Sequence, residues 1–193
     1  SGSNWFDLSG ENTDTLVLGG QTSASTGYLI RCSLNAGAAN SNAALLTVYD
    51  AVAITTQPTN QSVCAGADAT FTAAATGSGL SYQWQFSTNG GSSWNNVASG
   101  GNTASYTVTS PTGASNNNQY QVIVSGTAPC SPVTSAAATL TVTDVTVAAS
   151  ASSICIGAST TLTASFVGAP DYTTATWTST TGSGASTPVS GAS

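Results

Sequence analysis

The side chains able to do chemistry in this 193-residue chain are few: four cysteines, seven carboxylates and one arginine, with no histidine, lysine or methionine. The cysteines are Cys32, Cys64, Cys130 and Cys155, and no two stand close together. Without histidine or a close cysteine pair the usual zinc sets cannot be assembled, and a nucleophilic cysteine lacks a base. The acids (Asp7, Glu11, Asp14, Asp50, Asp68, Asp144 and Asp171) share no motif. General acid–base catalysis needs histidine or carboxylates placed near each other. No glycine-rich phosphate loop lies between a strand and a helix. The expectation is a non-enzyme with no cofactor and no metal. Asp50 and Asp144 end strands of successive repeats, but one acid per junction is too few for a tight calcium site, and a linker turn is the expected role. Disulfide bonding, a chemistry of oxidising compartments, remains open to the cysteines. Trp5 and Trp94 each follow a Gly/Ser turn on an expected edge strand. They could stack on sugar rings or pack against a sheet edge or a neighbouring domain.

Charged residues make up 4% of the chain, against about 25% in soluble domains. Net charge is −6, and Arg31 is the only cation. Nucleic-acid binding requires cations that displace counterions, so nucleic acid is not an expected partner. No apolar run approaches the roughly 20 residues of a membrane span, and no signal peptide is visible. The surface is Ser, Thr, Asn, Gly and Ala, which suits an extracellular or cell-surface protein. Regular alternation of apolar residues argues against disorder.

These residues sit in a repeat of about ninety residues. Gly2–Gly20 (GSNWFDLSGENTDTLVLGG) matches Ser92–Ser110 (SSWNNVASGGNTASYTVTS), with Trp5 on Trp94. Ser41–Asp50 matches Thr134–Asp144, and Ser152–Ser165 (SSICIGASTTLTAS) matches Gln61–Ala74 (QSVCAGADATFTAA). The expected organisation is the back half of one repeat at 1–50, a complete repeat at 51–143, and the front half of a third at 144–193. Such periodicity is the mark of an array.

Within the complete repeat, alternation and turn signals predict strands at Ala53–Thr56, Ala69–Ala75, Ser81–Gln85, Ser93–Val97, Ser105–Thr109, Gln119–Ser125 and Ala137–Val142. Asn89-Gly90-Gly91 is a hairpin signal, and no segment has the 3.6-residue apolar period of a helix. The fold class predicted is all-β: tandem immunoglobulin-like antiparallel β-sandwiches, one complete and two partial.

The pattern SVCAG…TFTAAATGSGLSYQWQ…W…YxVxVSG…C…SAAATLTV resembles the immunoglobulin-like repeats of very large secreted Bacteroidota proteins, including gliding-motility-associated surface adhesins. The resemblance covers the central repeat and both halves. It implies export by the type IX system and work at the cell surface. By the same likeness Trp84 is the buried strand-C tryptophan with Trp177 its copy, Tyr120 is the tyrosine-corner residue, and Phe71 and Val122 join the core. The usual B- and F-strand cysteine positions fall on Ala73 and Val122, so the usual bridge is missing; in the first half-repeat Cys32 occupies the F position. Asp14-Thr15-Leu16 fits a short O-glycosylation acceptor of Bacteroidota at Thr15, and Asn60-Gln61-Ser62 is a sequon that means little in a bacterium.

Cys64 and Cys130 are the only pair within the complete repeat, so an intradomain bond is the default. An immunoglobulin topology puts the two at opposite ends, however, and a bridge needs Cα atoms within about 7 Å. The alternative is bonding between neighbouring domains, and Cys32 and Cys155 would find partners outside the segment or in a neighbouring chain. The expected role is structural: an adhesin stalk or surface filament whose partners are neighbouring repeats of the same or an identical chain, with glycans as a further partner. The alternatives are a carbohydrate-binding accessory module, which requires exposed aromatics, and a decoration protein of a phage virion.

Overall fold

The computed structural model describes residues 6, 8, 15–34, 39–153, 155, 156, 158 and 160–168. In the first unit a 3-10 turn at Ser23–Ser25 precedes strands β1 (Leu29–Ile30), β2 (Ser33–Leu34), β3 (Ala39–Asn40) and β4 (Ala44–Leu45). β1 pairs with β4 and β2 with β3, both antiparallel. The central unit holds β5 (Ala53–Thr56), β6 (Gln61–Cys64), β7 (Ala69–Thr72), β8 (Ala74–Thr76), β9 (Ser81–Ser87), β10 (Asn95–Asn96), β11 (Ser105–Val108), β12 (Gln119–Ser125) and β13 (Val133–Thr134). Its last strand, β14, runs from Ala138 to Ala149, and β15 (Leu162–Val167) follows in the third unit. No α-helix occurs among the described residues.

One face of the central unit is the sheet β10-β9-β12-β14, with β13 also beside β12; the other is built from the pairs β11-β7 and β5-β8. Side chains on alternate positions of β12 are buried, and the same holds for the first half of β14. This period-two pattern is what a strand with one face on a core requires. The core is Phe71, Trp84, Tyr120, Val122, Val124, Leu140 and Val142, with Ala69, Ala73 and Ala138 filling the gaps. Phe71 stacks on Tyr120 with ring centroids 4.7 Å apart, and Trp84 lies against Phe71 at 6.3 Å. The Trp84 indole N–H donates to the Thr103 carbonyl at 2.9 Å, so the largest core residue is satisfied in its one polar atom. Two facing sheets over a single apolar layer make this an immunoglobulin-like β-sandwich. One pairing departs from the antiparallel expectation: β6 runs parallel to β14, Gln61 beside Leu140 through Cys64 beside Thr143.

Neutral amides do on the outer face what ion pairs do elsewhere. Gln121 donates to Gln85 at 2.9 Å and Gln85 to Asn96 at 2.8 Å, a ladder across β12, β9 and β10.

The first unit copies the central one in detail. Leu29 opposite Leu45 and Ile30 opposite Ala44 reproduce Gln119 opposite Thr139 and Tyr120 opposite Ala138. Ser33 opposite Asn40 and Leu34 opposite Ala39 reproduce Ile123 opposite Thr134 and Val124 opposite Val133. The 3-10 turn recurs at Gly113–Ser115. Left-handed backbone recurs too: Gly20 (φ 66) answers Ser110 (φ 45), and Gly27 (φ 93) answers Asn117 (φ 66). Asparagine accepts this region readily, whereas serine is strained there by about 1–2 kcal/mol. The Ser110 N–H binds Asp68 Oδ1 at 2.9 Å, an interaction any residue keeps. Ser110→Gly is expected to raise stability by up to about 1 kcal/mol once the extra freedom of unfolded glycine is subtracted. Urea unfolding of both forms checks this.

Candidate functional site

The candidate site is the set of contacts through which one sandwich meets the next. Between the central and third units there is no separate linker. β14 contributes Ala138–Thr143 to the central sandwich and Asp144–Ala149 to a hairpin with β15, Asp144 opposite Val167 and Ala149 opposite Leu162. Asp144 therefore sits inside a strand and not at the linker turn expected of it. Its carboxylate explains why: Oδ2 accepts the Gly113 N–H at 3.0 Å, tying the incoming strand to the 3-10 turn of the preceding sandwich. One turn further on, Asn116 Oδ1 accepts the Val142 N–H at 3.0 Å.

A glycine completes the junction. Gly168 (φ 67) ends β15 against the Val142 carbonyl, and a Cβ there would fall onto that oxygen. Gly77 holds the same place at the upstream junction, where a Cβ would stand 3.1 Å from the Ala51 carbonyl oxygen and from Val52 Cα. That junction is clasped further by Ser78, whose hydroxyl accepts the Asp50 N–H at 2.9 Å and whose N–H donates to the Asp50 carbonyl at 3.2 Å. The β5–β8 and β14–β15 pairings correspond as well: Ile54 lies opposite Ala75, and Val145 opposite Phe166.

A serine, buried in the central unit and exposed in the first, secures the last strand of both. Ser135 Oγ accepts the Val122 N–H at 3.0 Å and donates to the Ala136 carbonyl at 2.8 Å. Ser41 does the same with Cys32 (2.9 Å) and Asn42 (2.8 Å). The sequence match of SNAALL to TSAAATL contained this serine, but hydropathy alone does not mark it.

The expected disulfide residues fall apart in space. Cys64 lies beside Thr143, at the end where the third unit begins. The Cys130 thiol lies 3.5 Å from the Asp50 carbonyl, at the end where the first unit arrives. The seven residues of β12 separate the two ends by roughly 20 Å. Cys32, Cys64, Cys130 and Cys155 all stand as thiols, three of them exposed and Cys130 partly so. Cys155 repeats the turn of Cys64: Ala158 N–H donates to Cys155 O at 3.0 Å, as Ala67 N–H does to Cys64 O.

Trp84, Phe71, Tyr120 and Val122 are core residues. Trp94 is half-buried next to β10 and close to Gly91. Thr15 is exposed. Trp5 and Trp177 lie outside the described residues. A shallow open depression of about 370 Å³ is lined by Phe86, Val97, Tyr106, Asn118 and Tyr120 among others. Burial pushes both Tyr106 and Tyr120 upward in pKa; for Tyr120 a hydrogen bond with the Asn118 side chain opposes this and the neighbouring Tyr106 adds to it. Tyrosines neutral in the fold ionise more readily once unfolded, near pH 10. Their contribution is therefore intact below pH 10 and is lost as pH rises through the higher folded values. The urea midpoint is expected to be lower at pH 11 than at pH 8, and an unchanged midpoint would contradict this. Among the described residues no three His, Cys, Asp or Glu side chains gather as a metal site, and no helix is long and apolar enough to cross a membrane.

Known proteins resemble the chain at a distance. Immunoglobulin domains 1–5 of Sidekick-1 share 23% identity at a TM-score of 0.41, over 68% of this chain and 30% of that one. An I-band fragment of titin shares 21% at 0.40, over 51% of this chain and 34% of that one. The N-terminal two-domain module of the Drosophila receptor protein tyrosine phosphatase DLAR shares 20% at 0.36, over 49% and 50%. The chain thus spans about a third of the first two. No curated protein matches it in sequence. Residues 53–144 match the family model of a domain of unknown function, DUF8696. In architecture the chain is all-β, a tandem of immunoglobulin-like sandwiches with the complete one at its centre.

Proposed function

We propose that this chain is a structural stretch of an extracellular repeat array, with sandwiches joined end to end as a stiff spacer in an adhesin stalk or surface filament. The observation that carries this reading is β14, twelve residues shared without interruption between two units. A strand hydrogen-bonded on both sides of a junction bends less than a free linker, and Asp144 and Gly168 brace it against the preceding sandwich. The neutral Ser/Thr/Asn surface fits a spacer, since it offers little to charge-driven partners. The resemblance to secreted Bacteroidota repeats supports the cell surface as its place and type IX export as its route. Disulfides between neighbouring domains belong to the same reading, because Cys64 and Cys130 stand at opposite junctions.

Small-angle scattering at dilution tests the reading. The expected profile is that of an elongated particle one sandwich wide. Inserting four Gly/Ser residues between Thr143 and Asp144 should broaden it. A compact profile, or one indifferent to the insertion, would overturn the spacer reading.

A further inference from the structure

The central unit carries two phenols where the first unit has aliphatic side chains. Ile30 stands at the place of Tyr120, since it lies opposite Ala44 as Tyr120 lies opposite Ala138. Leu16 stands at the place of Tyr106 in the match of residues 2–20 to 92–110. The repeat accepts an aliphatic residue at both positions, so its core does not call for the two hydroxyls. Both tyrosines line the shallow depression of about 370 Å³, together with Asn118 and with Phe86, which lies opposite Tyr120 on β9. The Asn118 side chain is hydrogen-bonded to the Tyr120 phenol.

The depression sits at the side of the sandwich where β10 ends one sheet and β11 the other, and the segment from Val97 to Ser99 that leaves β10 is its wall. That wall is fixed on both sides. The Val97 N–H donates to the Trp84 carbonyl at 3.1 Å, and the Gly101 carbonyl accepts the Trp84 backbone N–H at 2.7 Å. Gly101 packs so closely on Val97 that a Cβ there would overlap its side chain. The depression is thus formed before any ligand arrives, as small-molecule sites usually are.

Its lining selects the ligand by chemistry. None of the lining residues is charged, so an ion entering would lose water and find no counter-charge. What the depression offers is aromatic surface from Phe86, Tyr106 and Tyr120 beside the polar groups of Asn118, Ser99 and the phenols. Aromatic walls with a few placed polar groups suit a neutral ligand that has an apolar C–H face and a rim of hydroxyls. A sugar ring has both. The volume lies at the small end of ligand sites, which run from roughly 300 to 1,000 Å³, and this fits the end of a glycan better than a long polymer.

We infer that this depression binds the neutral end of a glycan, which packs on Phe86 and Tyr106 and hydrogen-bonds to the Tyr106 hydroxyl, Asn118 and Ser99. The site adds a ligand class to the spacer reading without resting on it, because its residues take no part in the junction contacts of Asp50, Ser78, Gly113, Asp144 and Gly168. It is also distinct from the surface of Trp94, which lies near Gly91 and outside the lining.

Saturation-transfer NMR on the 193-residue chain tests this with the methyl glycosides of glucose, galactose, mannose, fucose, N-acetylglucosamine and N-acetylgalactosamine, and with methyl glucuronide as the charged control. At least one neutral glycoside should bind with a Kd of about 1 mM or tighter. The glucuronide should bind about tenfold more weakly than the glucoside, or not at all. Tyr106→Phe, which removes only a hydroxyl, should weaken binding about fivefold. Ala98→Glu, at an exposed position on the wall, should abolish it while leaving the urea midpoint unchanged. Trp94→Ala should leave the affinity as it is. Absence of binding across the neutral glycosides, preference for the glucuronide, or binding that survives Ala98→Glu would each overturn the inference. Loss with Trp94→Ala but not with Tyr106→Phe would overturn it in favour of a stacking surface on Trp94. None of these results alters the scattering profile on which the spacer reading depends.

Discussion

Trp84→Ala is expected to cost the central unit about 3–5 kcal/mol, the range for truncating a large buried aromatic. Trp84 is 0% exposed and touches both halves of the core, lying 6.3 Å from Phe71 and 6.2 Å from Tyr106 between ring centroids. Its removal leaves a cavity between β9, β7 and β11 that backbone hydrogen bonds prevent from collapsing. The Trp84 N–H is bound to the Gly101 carbonyl and its own carbonyl accepts the Val97 N–H, so the strand cannot simply move inward. The Thr103 carbonyl also loses the indole donor. A domain of this size has about 5–15 kcal/mol in total, so the variant should stand near the edge of folding. Urea unfolding followed by circular dichroism should show the midpoint falling by about 2 M or more, given a slope near 1–2 kcal/mol per M. Trp84→Phe, which keeps most of the ring and loses the N–H, should lie between the two. A loss below about 1 kcal/mol for the alanine variant would mean that the core is not organised around this residue.

The residues that made the sandwich legible in the sequence are those whose burial alternates. SYQWQ and QYQVIVS declare strands by period two, and the structure has β9 starting at Ser81 and β12 spanning Gln119–Ser125. The segment expected as one strand at Ala69–Ala75 divides at Ala73, because β7 pairs with β11 and β8 crosses to β5. Nothing local marks that change of partner. β6 was missed for a related reason: Gln61–Cys64 is short and polar, and its partner on β14 lies some eighty residues away. At the junction, Asp144 interrupts the alternation and reads as a turn. It is a strand residue because Gly113, a donor distant in sequence, meets its carboxylate. The intradomain Cys64–Cys130 bond, the default expectation, does not form: strand order sets the two cysteines at opposite ends of the sandwich, and that objection outweighs their being the one pair within the repeat.

Gly168→Ala is expected to uncouple the third unit from the central one while leaving the central sandwich folded. With φ at 67 the residue sits where an L side chain costs about 1–2 kcal/mol. The steric conflict adds to this: the new Cβ would fall onto the Val142 carbonyl, a backbone atom held in place because the Val142 N–H is bound to Asn116. The weaker partner must move, and that is the β14–β15 hairpin, whose side chains are mostly exposed. Hydrogen exchange should quicken at Val145–Ala149 and Leu162–Val167, which pair with each other, and stay slow at Val122 and Val124 in the buried core. The same change at Gly77 should act more mildly, because its Cβ would find 3.1 Å to the Ala51 oxygen. Unchanged exchange in the hairpin of the Gly168→Ala protein would show that the junction does not depend on this close approach. Faster exchange would make glycine at the end of the second hairpin strand the device by which one sandwich is set directly upon the next.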